Sequence, residues 1–196
     1  MKLMVEDNFL PEEEFVILRD QIIGSKLPWN FNSNIVDSMD DASTCPGQFV
    51  HKVYDAGASS SQLYEYFIPM LENNLKSVLL MRIKINLHPR LPKPFYSQFH
   101  SDTEVDIGEN ITGQYLVSIP WQTSIFYINT NNGYTELESG EKVESVANRL
   151  VTFPSTILHR GVTQTDEQTR IVVNLNYSTL SNMDINWVNE QIRELL

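Results

Sequence analysis

Along the chain, the spacing of apolar positions changes once, near residue 80. Before that point the spacing is helical. Phe15, Leu18 and Ile22 recur at the interval of one helix face, which predicts a helix over 11–23. Pro11 suits its first turn, Glu12, Glu13 and Glu14 suit its positive end, and Gly24 stops it. Leu63, Phe67 and Leu71 mark a second helix, capped from Ser59 to Ser61 and running to about Asn74. The stretch 28–58 is rich in Pro, Asn, Ser and Asp and reads as irregular, with a strand possible over 48–54. After Ser77 the period becomes two. Residues 81–87 alternate strictly between apolar and polar, as a strand does. Further strands are predicted over 97–102, 114–119, 124–129, 135–138, 142–145, 149–153 and 169–178. Turn signals at Asp106-Ile-Gly, Asn131-Asn-Gly and Ser139-Gly-Glu separate them, and an amphipathic helix over 185–196 closes the pattern.

Helices followed by many short strands imply an α+β fold: an antiparallel double sheet with helices packed on one side. A double-stranded β-helix, or jelly-roll barrel, is the expected version, because it hides strand edges and leaves a mouth for a ligand. The expected organisation is a single domain over 1–196, with N-terminal helices in 1–79, the barrel core in 80–178 and the last helix in 185–196. No internal repeat or low-complexity linker interrupts it.

Composition narrows the function classes. With 41% hydrophobic residues the chain is globular in type. The opening MKLMVEDNFLPEEE places acids where a signal peptide needs an apolar stretch, and no apolar run is long enough to span a membrane. A cytoplasmic protein with no membrane partner is therefore expected. Cys45 is the only cysteine, which excludes an internal disulfide and a cysteine-based zinc site. A net charge of −11 repels phosphates and argues against a nucleic-acid partner.

The candidate chemistry starts at Phe99-His100-Ser101-Asp102. Residues two apart on a strand share a face, so His100 and Asp102 would aim an imidazole and a carboxylate at one point. By itself such a pair is common. His159, several strands later, completes two histidines and one carboxylate, the set that holds non-heme Fe(II) with open positions. Arg170 opens the next strand, where Arg170, Val172, Asn174 and Asn176 share a face. An arginine facing inward is costly unless it meets an anion, and its planar fork suits a carboxylate. Alternation alone leaves open whether that face looks inward or to solvent.

Together these motifs resemble the Fe(II)/2-oxoglutarate-dependent oxygenases, in particular their prolyl-4-hydroxylase-like branch, which includes small phage-encoded members. The resemblance covers roughly residues 80–178. It rests on His100 and Asp102, on Phe126-Tyr-Ile-Asn-Thr-Asn-Asn-Gly-Tyr-Thr-Glu-Leu137, and on the run from Arg149 through His159 to Arg170. It implies that His100, Asp102 and His159 hold iron and are the catalytic centre. It implies that Arg170 pairs with the distal carboxylate of 2-oxoglutarate, that Tyr127 hydrogen-bonds to the same carboxylate, and that Thr135 lines its pocket. The implied reaction is hydroxylation of a C–H bond with O₂, on a prolyl or other peptidyl side chain, or else on a free amino acid or small metabolite. A non-catalytic barrel and a metal-binding cupin without oxoglutarate are the rival readings. Two departures stand out: the turn reads Asn132-Gly133-Tyr134 where the family has Gly-Gly-Glu, and many collagen-type members carry lysine where this chain has Arg170.

Other residues receive plainer expectations. His51 is expected to be a partly exposed strand histidine, and Lys84 and Asn86 to face solvent. Residues 88–94, with three prolines, are expected to form a mobile cover over the iron site. Glu104 and Asp106 are expected on a solvated acidic rim, and Trp29, Trp121 and Trp187 in packing.

Overall fold

The computed structural model describes residues 3–24, 27–36, 45–55, 57–103 and 120–182. The expected strand over 114–119, the helix over 185–196, the turn at Asp106, the rim residues Glu104 and Asp106, and Trp187 lie outside these residues.

Helix α1 spans Glu12–Ile23 and buries Phe15, Leu18 and Ile22, the residues whose spacing predicted it. The second helix is shorter than its apolar stripe. It begins as α2, Tyr64–Pro69, and continues through a wide turn, Met70–Asn74, in which the Leu75 amide reaches back to the Met70 carbonyl. Pro69 has no amide hydrogen to give, so the regular ladder breaks there and the looser turn takes over.

The strands are β1 (Met4–Glu6), β2 (Asn30–Asn32), β3 (Gln48–Asp55), β4 (Ala58–Ser59), β5 (Ser77–Pro89), β6 (Gln122–Tyr127), β7 (Tyr134–Leu137), β8 (Lys142–Glu144), β9 (Arg149–Pro154), β10 (His159–Val162) and β11 (Thr169–Thr179). The larger sheet runs β1-β9-β6-β11-β5-β3-β2, with β4 beside β3, and the smaller runs β10-β7-β8. All pairings are antiparallel. The result is jelly-roll-like, but among the described strands the two sheets face each other without closing into the expected barrel. The short β1, β2, β4 and β10 are not expected from the sequence pattern, although β7 and β8, equally short, are.

The larger sheet is buried on both faces, and its two faces differ. Ile83 and Ile85 of β5, Phe126 of β6, Leu150 of β9, and Ile171, Val173 and Leu175 of β11 pack with α1 and the second helix in the main core. Ile125, Tyr127, Val151, Phe153 and Val172 turn the other way and meet Leu137 and Val143 of the smaller sheet. Asn148, at φ 61°, ties the helical layer to the sheet: its side chain accepts from the Leu10 amide at 2.9 Å and donates to the Leu10 carbonyl at 2.8 Å.

Candidate metal centre

The central strands β5 and β11 pair in a register that sets Arg170 opposite His88, Val172 opposite Asn86, Asn174 opposite Lys84, and Asn176 opposite Arg82. All eight lie on the face away from the helices, and this row forms the floor between the sheets. Lys84 and Asn86 thus line the interior, against the expectation of a solvent-facing side. The reason is the second layer: alternation marks two faces but does not say which is open, and here the smaller sheet covers the polar one.

Opposite this floor, residues 99–102 do not form a continuous strand. They are pinned one residue at a time. His100 and His159 exchange both backbone hydrogen bonds, at 3.0 and 2.9 Å, as an isolated antiparallel bridge. The Asp102 amide donates to the Ser155 carbonyl at 3.0 Å. The bridge puts both imidazoles on one side, with ring centroids 4.5 Å apart. One ligand atom from each of His100, Asp102 and His159 then falls within 4.8 Å of the others.

The protonation of these groups suits a cation. His100 Nδ1 lies 3.3 Å from the Gln98 carbonyl, and His159 Nδ1 lies 3.0 Å from that of Ile157. A carbonyl only accepts, so in each ring Nδ1 carries a proton and Nε2 is the nitrogen left to face a metal. Burial first, then the neighbouring His159, lowers the pKa of His100 and keeps it neutral. Burial pushes Asp102 upward, but His159, Arg82 and the hydrogen bonds from Thr123 and Asn176 together hold it well below the usual carboxylate range. Two imidazoles and one carboxylate fit Fe(II) and leave coordination positions open.

Asp102 is oriented by residues the motif does not contain. Arg82 donates to its Oδ1 at 3.0 Å, and Thr123 and Asn176 donate to Oδ2 at 2.7 and 3.0 Å. Arg82 also donates to the Asn176 side chain at 2.9 Å. Such outer partners fix a ligand's orientation. The one sequence signal for them is parity, since Arg82 shares a face with Lys84 and Asn176 shares one with Arg170.

Arg170 occupies the far end of the floor and is 3% exposed. Its guanidinium donates to Ser145 at 3.0 Å and to Thr135 at 3.4 Å, and lies 5.8 Å from the Tyr127 ring centre. Among the described residues it meets no carboxylate. Burial lowers its pKa, opposed by Tyr127, while burial raises that of Tyr127 itself. Tyr127 donates to Thr135 Oγ at 2.8 Å. Thr135 therefore accepts from both and keeps its own O–H to donate. Thr135 and Arg170 line the cavity, a space of about 60 Å³ that also reaches His100, Asp102 and His159. Tyr127 stands behind Thr135. Gly133 makes room for this arrangement: a Cβ there would lie 2.8 Å from Arg170 Cδ and 2.8 Å from the Val162 carbonyl.

Three sequence expectations change. His88 is not in a loop. It sits inside β5, is 6% exposed and lines the cavity. The segment after it is tied down, with the Arg90 amide on the Gln168 carbonyl at 2.9 Å and the Phe95 amide on Thr163 Oγ at 2.8 Å. The groove lined by Leu91, Pro92, Lys93 and Pro94 contains none of the three ligand residues, whereas His88 lines the cavity with them. The prolines read as a lid because they break a pattern that β5 has already completed. His51 is buried, bonded to the Pro28 carbonyl at 3.0 Å and to Ser61 Oγ at 2.8 Å. Ser145, Arg82 and Thr123 are site residues that the motifs missed.

The fold is that of the 2-oxoglutarate/Fe(II) oxygenases. An oxidoreductase of that family from Burkholderia pseudomallei superposes with a TM-score of 0.64 at 11% identity, covering 90% of this chain and 84% of that one. A prolyl-4-hydroxylase from Pseudomonas putida gives 0.57 at 14% identity, covering 90% and 92%. HygX from Streptomyces hygroscopicus, with nickel, 2-oxoglutarate and hygromycin B bound, gives 0.56 at 12% identity, covering 91% and 83%. No protein-family model matches the sequence, and no curated protein matches it significantly.

Proposed function

We propose that this protein is an Fe(II)/2-oxoglutarate-dependent oxygenase that hydroxylates a C–H bond, with a prolyl or other peptidyl side chain as substrate. The observation that carries the reading is one cavity lined both by the cluster of His100, Asp102 and His159 and by the buried guanidinium of Arg170. A metal-binding cupin without oxoglutarate has no use for that arginine. A merely structural arginine would not be left without a carboxylate at this depth.

His100, Asp102 and His159 hold the metal. Thr123, Asn176 and Arg82 keep Asp102 ionised and aimed. Arg170 and Thr135 take the distal carboxylate of the cosubstrate, and Tyr127 steadies Thr135. When bound, iron with 2-oxoglutarate and O₂ supplies an oxidative decarboxylation that yields succinate, CO₂ and the hydroxylated substrate. The protein's own share is to hold the reactants in line and keep bulk water out. The peptidyl substrate is favoured by the prolyl-4-hydroxylase neighbour, and a small polar metabolite by the neighbour that holds hygromycin B. A host-cell cytoplasmic, phage-type setting remains part of the reading, from sequence resemblance alone.

The test is succinate release from 2-oxoglutarate by the Fe(II)-loaded protein, screened with proline-containing peptides and with free amino acids. Turnover stimulated by peptides supports the reading. Stimulation by amino acids alone moves the substrate to the second class. Absence of both 2-oxoglutarate binding and turnover refutes it.

A further inference from the structure

The polar groups of the floor are not all satisfied by one another. At the metal end, Arg82 and Asn176 are committed to Asp102. At the other end, Arg170 holds Ser145 and Thr135. His88, opposite Arg170, and Asn86 and Asn174, nearer the middle, line the cavity, each more than nine-tenths buried. His88 Nδ1, Asn86 Oδ1 and Asn174 Oδ1 have no hydrogen-bond partner among the described residues. Buried polar groups are normally paired; the two amide oxygens only accept and call for a donor, whereas a ring nitrogen that carries a proton can pair an anionic ligand.

His88 is the most telling of the three. The strand register sets it directly opposite Arg170. Burial, then the nearby charges of Arg170 and Lys84, press its pKa down from 6.5 to about 3, so the ring is neutral. A neutral imidazole offers one N–H and one bare nitrogen.

We propose that His88 is a further recognition residue for the distal carboxylate of the cosubstrate, donating an imidazole N–H beside the guanidinium of Arg170. The inference rests on the 2-oxoglutarate reading above. The charge arithmetic favours a neutral donor at this position. One carboxylate is matched by one guanidinium, and a second buried cation would be left uncompensated. An imidazole adds a hydrogen bond to an ionised acceptor without adding charge.

The test uses the full chain loaded with Mn(II), titrated calorimetrically with 2-oxoglutarate and, separately, with oxalate. Oxalate chelates the metal but is too short to reach the Arg170 end. His88→Phe keeps the ring volume and removes both nitrogens, and His88→Gln restores a donor. His88→Leu replaces the Phe variant if that one does not fold. The expected result is 2-oxoglutarate binding weakened roughly 10- to 100-fold in His88→Phe, as for a lost hydrogen bond to a charged group. Oxalate and Mn(II) affinities stay within about twofold of wild type, a change that would be under half a kcal/mol. His88→Gln recovers part of the loss. Unchanged 2-oxoglutarate affinity in His88→Phe overturns the proposal. So does an equal loss for oxalate, which would place the effect at the metal or in the fold, or a Gln variant as weak as Phe. If wild type binds Mn(II) and oxalate but no 2-oxoglutarate, the cosubstrate reading itself fails and takes this inference with it.

Discussion

Replacing Arg170 by methionine separates the functional from the structural account of the most buried cation in the site. The side chain is 3% exposed and, among the described residues, its guanidinium hydrogen-bonds to the neutral Ser145 and Thr135 and lies beside the Tyr127 ring. In the ligand-free protein its burial is an electrostatic cost with two hydrogen bonds against it. Arg170→Met keeps most of the volume and removes the charge. The melting temperature of the ligand-free variant should therefore equal or exceed that of wild type. With ligand the balance reverses. Removing one partner of a buried ion pair costs about 3–5 kcal/mol, which is roughly a 150- to 5,000-fold loss of 2-oxoglutarate affinity. The assay is thermal unfolding of the Mn(II)-loaded protein across a 2-oxoglutarate series. Ligand at a hundred times its Kd stabilises wild type by about 2.7 kcal/mol, and the variant should show almost none of this at the same concentration. Manganese affinity should be unchanged, because Arg170 does not touch the ligand cluster. A variant that melts well below wild type without ligand, yet keeps its 2-oxoglutarate shift, would refute the reasoning and make Arg170 a structural residue.

Asp102→Ala should abolish tight Fe(II) binding, since two imidazoles alone make a poor facial site; full metal occupancy by elemental analysis would remove Asp102 from the ligand set. Gly133→Ala puts a methyl 2.8 Å from Arg170 Cδ and from a backbone carbonyl. It should cost about 1–3 kcal/mol of stability, as overpacking does, and should weaken 2-oxoglutarate more than oxalate; wild-type values in urea unfolding and titration would contradict the crowding. The pKa of His88 is depressed, from 6.5 to about 3. The unfolded chain therefore binds a proton that the folded one refuses, and stability falls as pH drops from 6.5 toward 3. The contribution is about 1.4 kcal/mol per pH unit, so metal-free wild type should lose stability more steeply than His88→Phe over that window. Parallel slopes in denaturant unfolding would show that His88 is not buried in this way.

The sequence made the ligand set legible because its spacing reflects geometry. His100 and Asp102 share a side as strand parity requires, although bridges to His159 and Ser155 hold them in place of a regular strand. Arg170, Val172, Asn174 and Asn176 were readable as one face, but alternation carries no sign for inside and outside. That is why Lys84 and Asn86 were placed in solvent and why Arg82 was overlooked. The smaller sheet that covers them includes the two strands expected over 135–138 and 142–145, but their pattern does not say which face of the larger sheet they pack on. His88 was misread for a related reason. The prolines from Pro89 onward suggested that the strand had ended, whereas it runs to Pro89 at the sheet's end, opposite Thr169. Ser145 and Thr123 carry no motif at all, and only the three-dimensional neighbourhood assigns them.

The register between β5 and β11 has a consequence for errors in assembly. A slip of one residue on β5 would carry Ile83, Ile85 and Leu87 into the cavity and drive Arg82, Lys84, Asn86 and His88 into the core against the helices. The same displacement that erases the chemistry would thus bury four polar side chains in an apolar layer. A misthreaded copy would fail to fold, and a pool of folded but inert molecules would not accumulate. Quality control of the site is built into the pairing, since an insertion in either strand would strike the core as well.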